Sequence, residues 1–87
     1  MNNHRKSIFI SRHALEKATQ RFGFKEKGNG LREKIKNEIK NGRKLSIKEI
    51  MKRKIKIGSP KYFILFENRI YVLSEDNCVV TAFLDKN

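Results

Sequence analysis

Apolar positions follow a helical period through the first half of the chain and a strand-like pattern through the last third. Ala14, Leu15, Ala18 and Phe22 fall on one side of a 3.6-residue repeat, which predicts a helix from about Arg12 to Phe22. Ser11 stands where an N-cap hydroxyl satisfies an orphan first-turn amide, and Gly23 where a helix ends in a left-handed conformation. Residues 23–30 (GFKEKGNG) set three glycines and an asparagine among charges, the composition of a loop. A second helix is predicted from residue 31 to about 41, with Leu31, Ile35 and Ile39 on one narrow face and Gly42 as its stop.

Ser46 and Glu49 have the spacing of a capping box, with Ile47, Ile50 and Met51 behind them, so a short third helix is predicted at about 47–52. Residues 53–57 (RKIKI) alternate and read as a strand with Ile55 and Ile57 inward, the alternative being a helix that runs on through residue 55. Gly58, Ser59 and Pro60 then break the chain, because proline cannot donate to a ladder. Lys61–Phe66, Arg69–Ser74 and Cys78–Leu84 are rich in β-branched and aromatic residues, and Glu67-Asn68 and Glu75-Asp76-Asn77 separate them as tight turns. The expected fold is α+β, a single domain over residues 1–87. Its N-terminal helices pack on one face of a C-terminal antiparallel sheet of three to four strands.

Composition narrows the setting. A chain of 87 residues buries only roughly 60–65% of its unfolded surface, so one modest core is expected. The single cysteine, Cys78, has no internal disulfide partner, which suits a reducing cytoplasm. No apolar run approaches the ~20 residues of a membrane span, and the N-terminal run Ile8-Phe9-Ile10 is far shorter than the ~7–15-residue core of a signal peptide. A cytoplasmic protein with no membrane partner is therefore expected.

Charge changes the picture most. Residues 1–61 carry 19 Lys and Arg against 5 acids, a net +14, whereas residues 62–87 carry 2 against 4, a net −2. A field of that size draws polyanions and speeds their encounter, and RNA is the expected partner. The bland alternative is a solvated basic surface.

Few residues are left to carry chemistry. With one cysteine and two histidines, His4 and His13, the chain lacks a zinc set, and no cofactor or metal is expected. The GNG at 28–30 has neither a strand before it nor a Lys-Ser/Thr pair after it, and no serine sits in a nucleophile elbow. What remains is a stripe of His13, Lys17 and Arg21, each four residues apart on the first helix. Histidine exchanges protons near neutral pH, and lysine and arginine hold a phosphate as charge builds on its oxygens. RNA cleavage by its own 2′-hydroxyl needs no more than these functions. His13 and Arg21 lie about 12 Å apart along the helix axis, so they serve one phosphate only if the arginine reaches back, or else they grip successive positions on a strand. Otherwise His13 lines a helix edge and the rest is surface charge.

The stretch Ile10-Ser11-Arg12-His13-Ala14-Leu15-Glu16-Lys17, with Arg21-Phe22-Gly23 after it, resembles the opening motif of small bacterial and phage-borne proteins of the RelE/barnase/colicin D-like ribonuclease superfamily. Cys78-Val79-Val80-Thr81-Ala82-Phe83 resembles the group's closing strand. The resemblance implies a metal-independent endoribonuclease, toxin-like or carried by a mobile element, with an acidic antitoxin or immunity protein as a second partner. It implies His13 as acid or base, Arg21 as a phosphate ligand and Thr81 as a phosphate or histidine contact. Lys17 stands where the group has arginine, and it lacks the two-pronged grip. Arg12, Lys61, Arg69 and Tyr71 are further candidate nucleic-acid contacts, the last two sharing a strand face. Two other function classes remain open, a non-catalytic RNA-binding module on the same scaffold and a small phage or host regulator that binds an acidic protein.

The charge distribution makes a first prediction. RNA binding is tight at low salt and weakens linearly on a log–log plot, with a slope near about −0.7 per phosphate contact for a single strand. Filter binding from low to physiological salt checks it; a flat profile contradicts a nucleic-acid partner.

Overall fold

In a computed structural model, which describes residues 7–56 and 61–86, three helices sandwich a five-stranded sheet. The elements in chain order are β1 (Phe9–Ile10), α1 (Arg12–Phe22), α2 (Gly28–Asn41), β2 (Arg43–Lys44), α3 (Ile47–Lys52), β3 (Lys61–Phe66), β4 (Arg69–Ser74) and β5 (Cys78–Leu84). The sheet order is β1-β5-β4-β3-β2. The class is α+β, and β3–β4–β5 form the expected antiparallel meander with the boundaries read from sequence. Asn77 takes a φ of 62°, the left-handed conformation in which asparagine is at ease, and closes the three-residue turn.

Local chemistry places the helices. The Ser11 hydroxyl accepts from the Ala14 amide at 3.0 Å, and Gly23 ends α1 at φ 70°. Ser46 and Glu49 form the reciprocal capping box that starts α3. Ala14 and Ala18 are almost fully buried, and their small side chains let α1 sit close against β5.

Four features depart from the sequence reading. The helices do not share one face. Ala14, Ala18, Leu31, Ile35 and Ile39 pack with Tyr71, Leu73, Val79 and Ala82, whereas Leu45 and Ile50 pack with Phe63, Ile70 and Val72 on the opposite side. Hence α1 and α2 cover one face and α3 covers the other. Second, residues 53–56 are not a strand. Arg53 is the C-cap of α3, Lys54 turns the chain at φ 58°, and the expected inward Ile57 and the break at residues 58–60 lie outside the described residues. Third, the fourth and fifth strands are the two-residue β2, antiparallel to β3, and β1, parallel to β5, so the sheet is mixed. Last, α2 begins at Gly28, three residues earlier than its apolar stripe suggested.

Gly42 ends α2 where the chain passes hard against β3. A Cβ there would lie 2.6 Å from Ile64 Cγ2 and 2.8 Å from the Leu65 carbonyl oxygen. Gly42→Ala is therefore expected to cost about 1–3 kcal/mol, a fall of roughly 5–20 °C in Tm for a domain of this size. Thermal melting checks this, and an unchanged Tm would contradict the close approach.

Candidate nucleic-acid interface

The stripe on α1 spirals. Four residues turn a helix by about 400°, so each step from His13 to Lys17 to Arg21 drifts about 40° toward the buried side that Ala14 and Ala18 define. His13 is exposed and Lys17 half-buried, and Arg21, itself still exposed, extends to the sheet, where its Nη1 donates to the Ala82 carbonyl oxygen at 2.9 Å. That carbonyl is on offer because β1 pairs only with Cys78 and Val79, and the Ser11 amide then takes the Val79 oxygen. Beyond that point, among the described residues, no strand lies beside the outer edge of β5, and α1 runs along it.

Thr81 does not join the stripe on its own face. It pairs with Val72, and cross-strand partners project to the same side of a sheet, so Thr81 points to the α3 side while α1 packs on the other. A register shift between Val72 and Leu73 absorbs the extra residue in β5 that sets this orientation. No side-chain hydrogen bond or ion pair links His13, Lys17, Arg21 and Thr81 among the described residues. The stripe and Thr81 instead flank the edge of β5 from its two sides, with Arg21 at the crossing.

The further contacts divide. Arg12 is exposed at the first position of α1, on the same end as His13. Lys61 is exposed but starts β3, two strands or roughly 10 Å from β5. Arg69 and Tyr71 share a face, and it is the one under α1 and α2, so the expectation that they contact RNA is corrected. Tyr71 is fully buried, and its hydroxyl donates to Glu38 Oε1 at 2.6 Å. Burial and that hydrogen bond to a carboxylate both push the phenol pKa up, so Tyr71 stays neutral. Arg69 holds the same carboxylate with Nε at 2.8 Å and Nη2 at 2.9 Å. The rings of Phe22, Phe24 and Phe66 surround its guanidinium at 5.3–5.9 Å. Its hydrogen bonds to Glu38 raise its pKa further.

Sequence reasoning missed the cavity on the α3 side of the β5 edge. It holds about 540 Å³ and is lined by Arg21, Arg53, Ile55, Ile70, Phe83, Leu84, Asp85 and Lys86. Arg53 forms one wall. Its Nε and Nη2 grip the two Asp85 oxygens at 2.9 and 3.0 Å, and its Nη1 donates to the Glu49 carbonyl at 3.1 Å. A larger concavity of about 700 Å³ lies by α2, but there Glu33 pairs with Lys36 and the Tyr62 hydroxyl is held by Asn77. Among the described residues no cluster of His, Cys, Asp or Glu is placed to hold a metal ion, and no helix is long and apolar enough to cross a membrane.

Fold and site together define an α+β protein with a cationic sheet edge. Compared with protein-family models, curated proteins and solved structures, the chain finds no match in any of the three.

Glu49 secures the helix that presents Arg53. The Ser46 amide and then the Arg43 guanidinium hold its carboxyl down from 4.5 to about 2. A lowered folded-state pKa contributes stability that is full above the unfolded value and lost as pH falls through the folded one. The Tm gap between wild type and Glu49→Gln is therefore expected to be constant above about pH 5 and to shrink from there toward pH 2. A gap that does not change with pH contradicts it.

Proposed function

We propose that the protein is a metal-independent endoribonuclease that grips single-stranded RNA along the α1–β5 edge. One observation carries the reading: an exposed, unengaged histidine stands in line with an arginine pinned at the open edge of β5. Pinning matters because a guanidinium has five N–H donors. One bond to Ala82 fixes its direction and leaves the others for a phosphate.

In this reading His13 takes the proton of a ribose 2′-hydroxyl. The 2′-oxygen bonds to the adjacent phosphorus, the bond from phosphorus to the 5′-oxygen breaks, and a 2′,3′-cyclic phosphate results. Lys17, four residues on, supplies the proton that the leaving 5′-oxygen takes up, and Arg21, held toward β5 by the Ala82 carbonyl, grips the next phosphate along the strand. Thr81 serves from the far side of the edge, as a hydrogen-bond partner to a strand that folds over it. Such an enzyme acts on cytoplasmic RNA, and a protein that restrained it would present acidic groups to the same edge.

The second reading, an RNA-binding module without cleavage, draws on the placement of Thr81 and on the lack of any side-chain link between His13 and the other three.

Incubation with RNA in EDTA, followed by end-group analysis, tests the proposal. Wild type is expected to leave 2′,3′-cyclic ends. His13→Ala lowers cleavage by roughly 10²–10⁴-fold with binding nearly intact, and Arg21→Ala weakens both. No wild-type cleavage from about pH 5 to 9, or equal loss of binding and cleavage in His13→Ala, overturns the enzyme and leaves the binding module.

A further inference from the structure

We propose that the cavity between the end of α3 and the end of β5 is a subsite for one nucleotide of the RNA, with the base on Phe83 and the phosphate on Arg21 and Lys86. The proposal rests on the RNA reading above and adds the part of the ligand that is not backbone. Its volume, about 540 Å³, is that of a small-ligand cleft.

The lining is divided in the way a nucleotide is divided. Ile55, Phe83 and Leu84 give an apolar floor with one aromatic ring, the fully buried Ile70 lies directly beneath it, and Arg21 and Lys86 stand at its rim. Two other charged groups face the cavity, and they occupy each other: both Asp85 oxygens are held by Arg53. That pair is nearly buried, with side chains 13% and 9% exposed, so its charges largely cancel at the wall. The net positive charge at the rim therefore comes from Arg21 and Lys86. A bare phosphate would use the rim and leave the floor wet. A base without phosphate would use the floor alone. A nucleotide satisfies both, because any base offers a face to an aromatic ring.

Arg21 links this cavity to the α1 stripe. Anchored at Ala82, it belongs at once to the row of His13 and Lys17 and to the rim. An RNA strand that lays one phosphate on Arg21 thus delivers the neighbouring base to Phe83 on the α3 side and the preceding ribose to the α1 side.

Methyl- and aromatic-labelled full-length protein titrated with adenosine 3′-monophosphate, with adenosine and with inorganic phosphate tests this by NMR. The nucleotide is expected to shift the Ile55 and Ile70 methyls and the Phe83 ring, and to bind more tightly than either fragment. Phe83→Leu keeps most of the bulk and is expected to weaken the nucleotide by roughly fivefold or more, with phosphate unaffected. Lys86→Ala, at an exposed position, is expected to weaken nucleotide and phosphate alike. Phosphate binding as tightly as the nucleotide, or nucleotide shifts confined to α1, overturns the subsite. If wild type cleaves or binds RNA with no shift at Ile55, Ile70 or Phe83, the subsite is wrong and the RNA reading stands. Cavity shifts by the nucleotide in a protein that neither binds nor cuts RNA support the subsite and remove the ribonuclease.

Discussion

A carboxylate buried under the helices, Glu38, fixes where everything else lies. It sits on α2 at 6% exposure and would be costly there alone, since an uncompensated buried charge destabilises by about 3–5 kcal/mol. Arg69 and Tyr71 of β4 between them give it three hydrogen bonds, which ties α2 to the central strand of the sheet. The same guanidinium stacks among Phe22, Phe24 and Phe66, and Phe22 also meets Tyr71 edge to face. Phe22 is the last residue of α1, next to Arg21. One buried ion pair therefore sets the end of the helix that carries the candidate site. It also shows why two arginines of equal charge have different fates: Arg69 is consumed inside the fold, whereas Arg21 spends one donor on the backbone and keeps the rest.

Two geometric constraints then shape the site. The drift of a four-residue stripe around α1 turns Arg21 to the sheet and leaves His13 in solvent. β1 pairs only with Cys78 and Val79, and among the described residues no other strand flanks the far half of β5, so a carbonyl is open to Arg21. A longer β1 would have used that carbonyl in the ladder and excluded the arginine. The cavity beyond exists because α3 covers only part of its face of the sheet, over Phe63, Ile70 and Val72, and leaves the ring of Phe83 half-buried.

Much of the fold was legible because it is local. The caps at Ser11, Gly23 and Ser46, and the three strands of the meander, follow from nearby residues whose signals agree. The two-sided cover of the sheet was not read, although Ile70-Tyr71-Val72-Leu73, four apolar residues with no alternation, carries the signal of a strand buried on both faces. What was not legible is non-local. Two-residue strands such as β1 and β2 have no period of their own, and β1 depends on a partner about seventy residues away. Arg53 alternates with isoleucines as a strand residue would, yet its backbone N–H closes on the Glu49 and Ile50 carbonyls as the cap of α3, and its side chain pairs with Asp85 thirty-two residues on. For the site, spacing placed His13, Lys17 and Arg21 on one helix, but the side of the sheet that Thr81 faces depended on a bulge that no residue pattern announces. Glu38 stood three residues after Ile35, within reach of the apolar face, and that position was the signal of its burial.

The central claim is the path of the RNA, along α1 and over the edge of β5, and the chain's many lysines make that path measurable. Lysine acetylation of the full-length protein, with and without a 2′-O-methylated RNA that cannot be cleaved, reads each amine separately by mass spectrometry. Protection is expected at Lys17 and Lys86, with Lys36 and Lys40 on α2 reacting as freely as before. Protection of Lys36 and Lys40 with Lys17 and Lys86 left reactive would contradict the account.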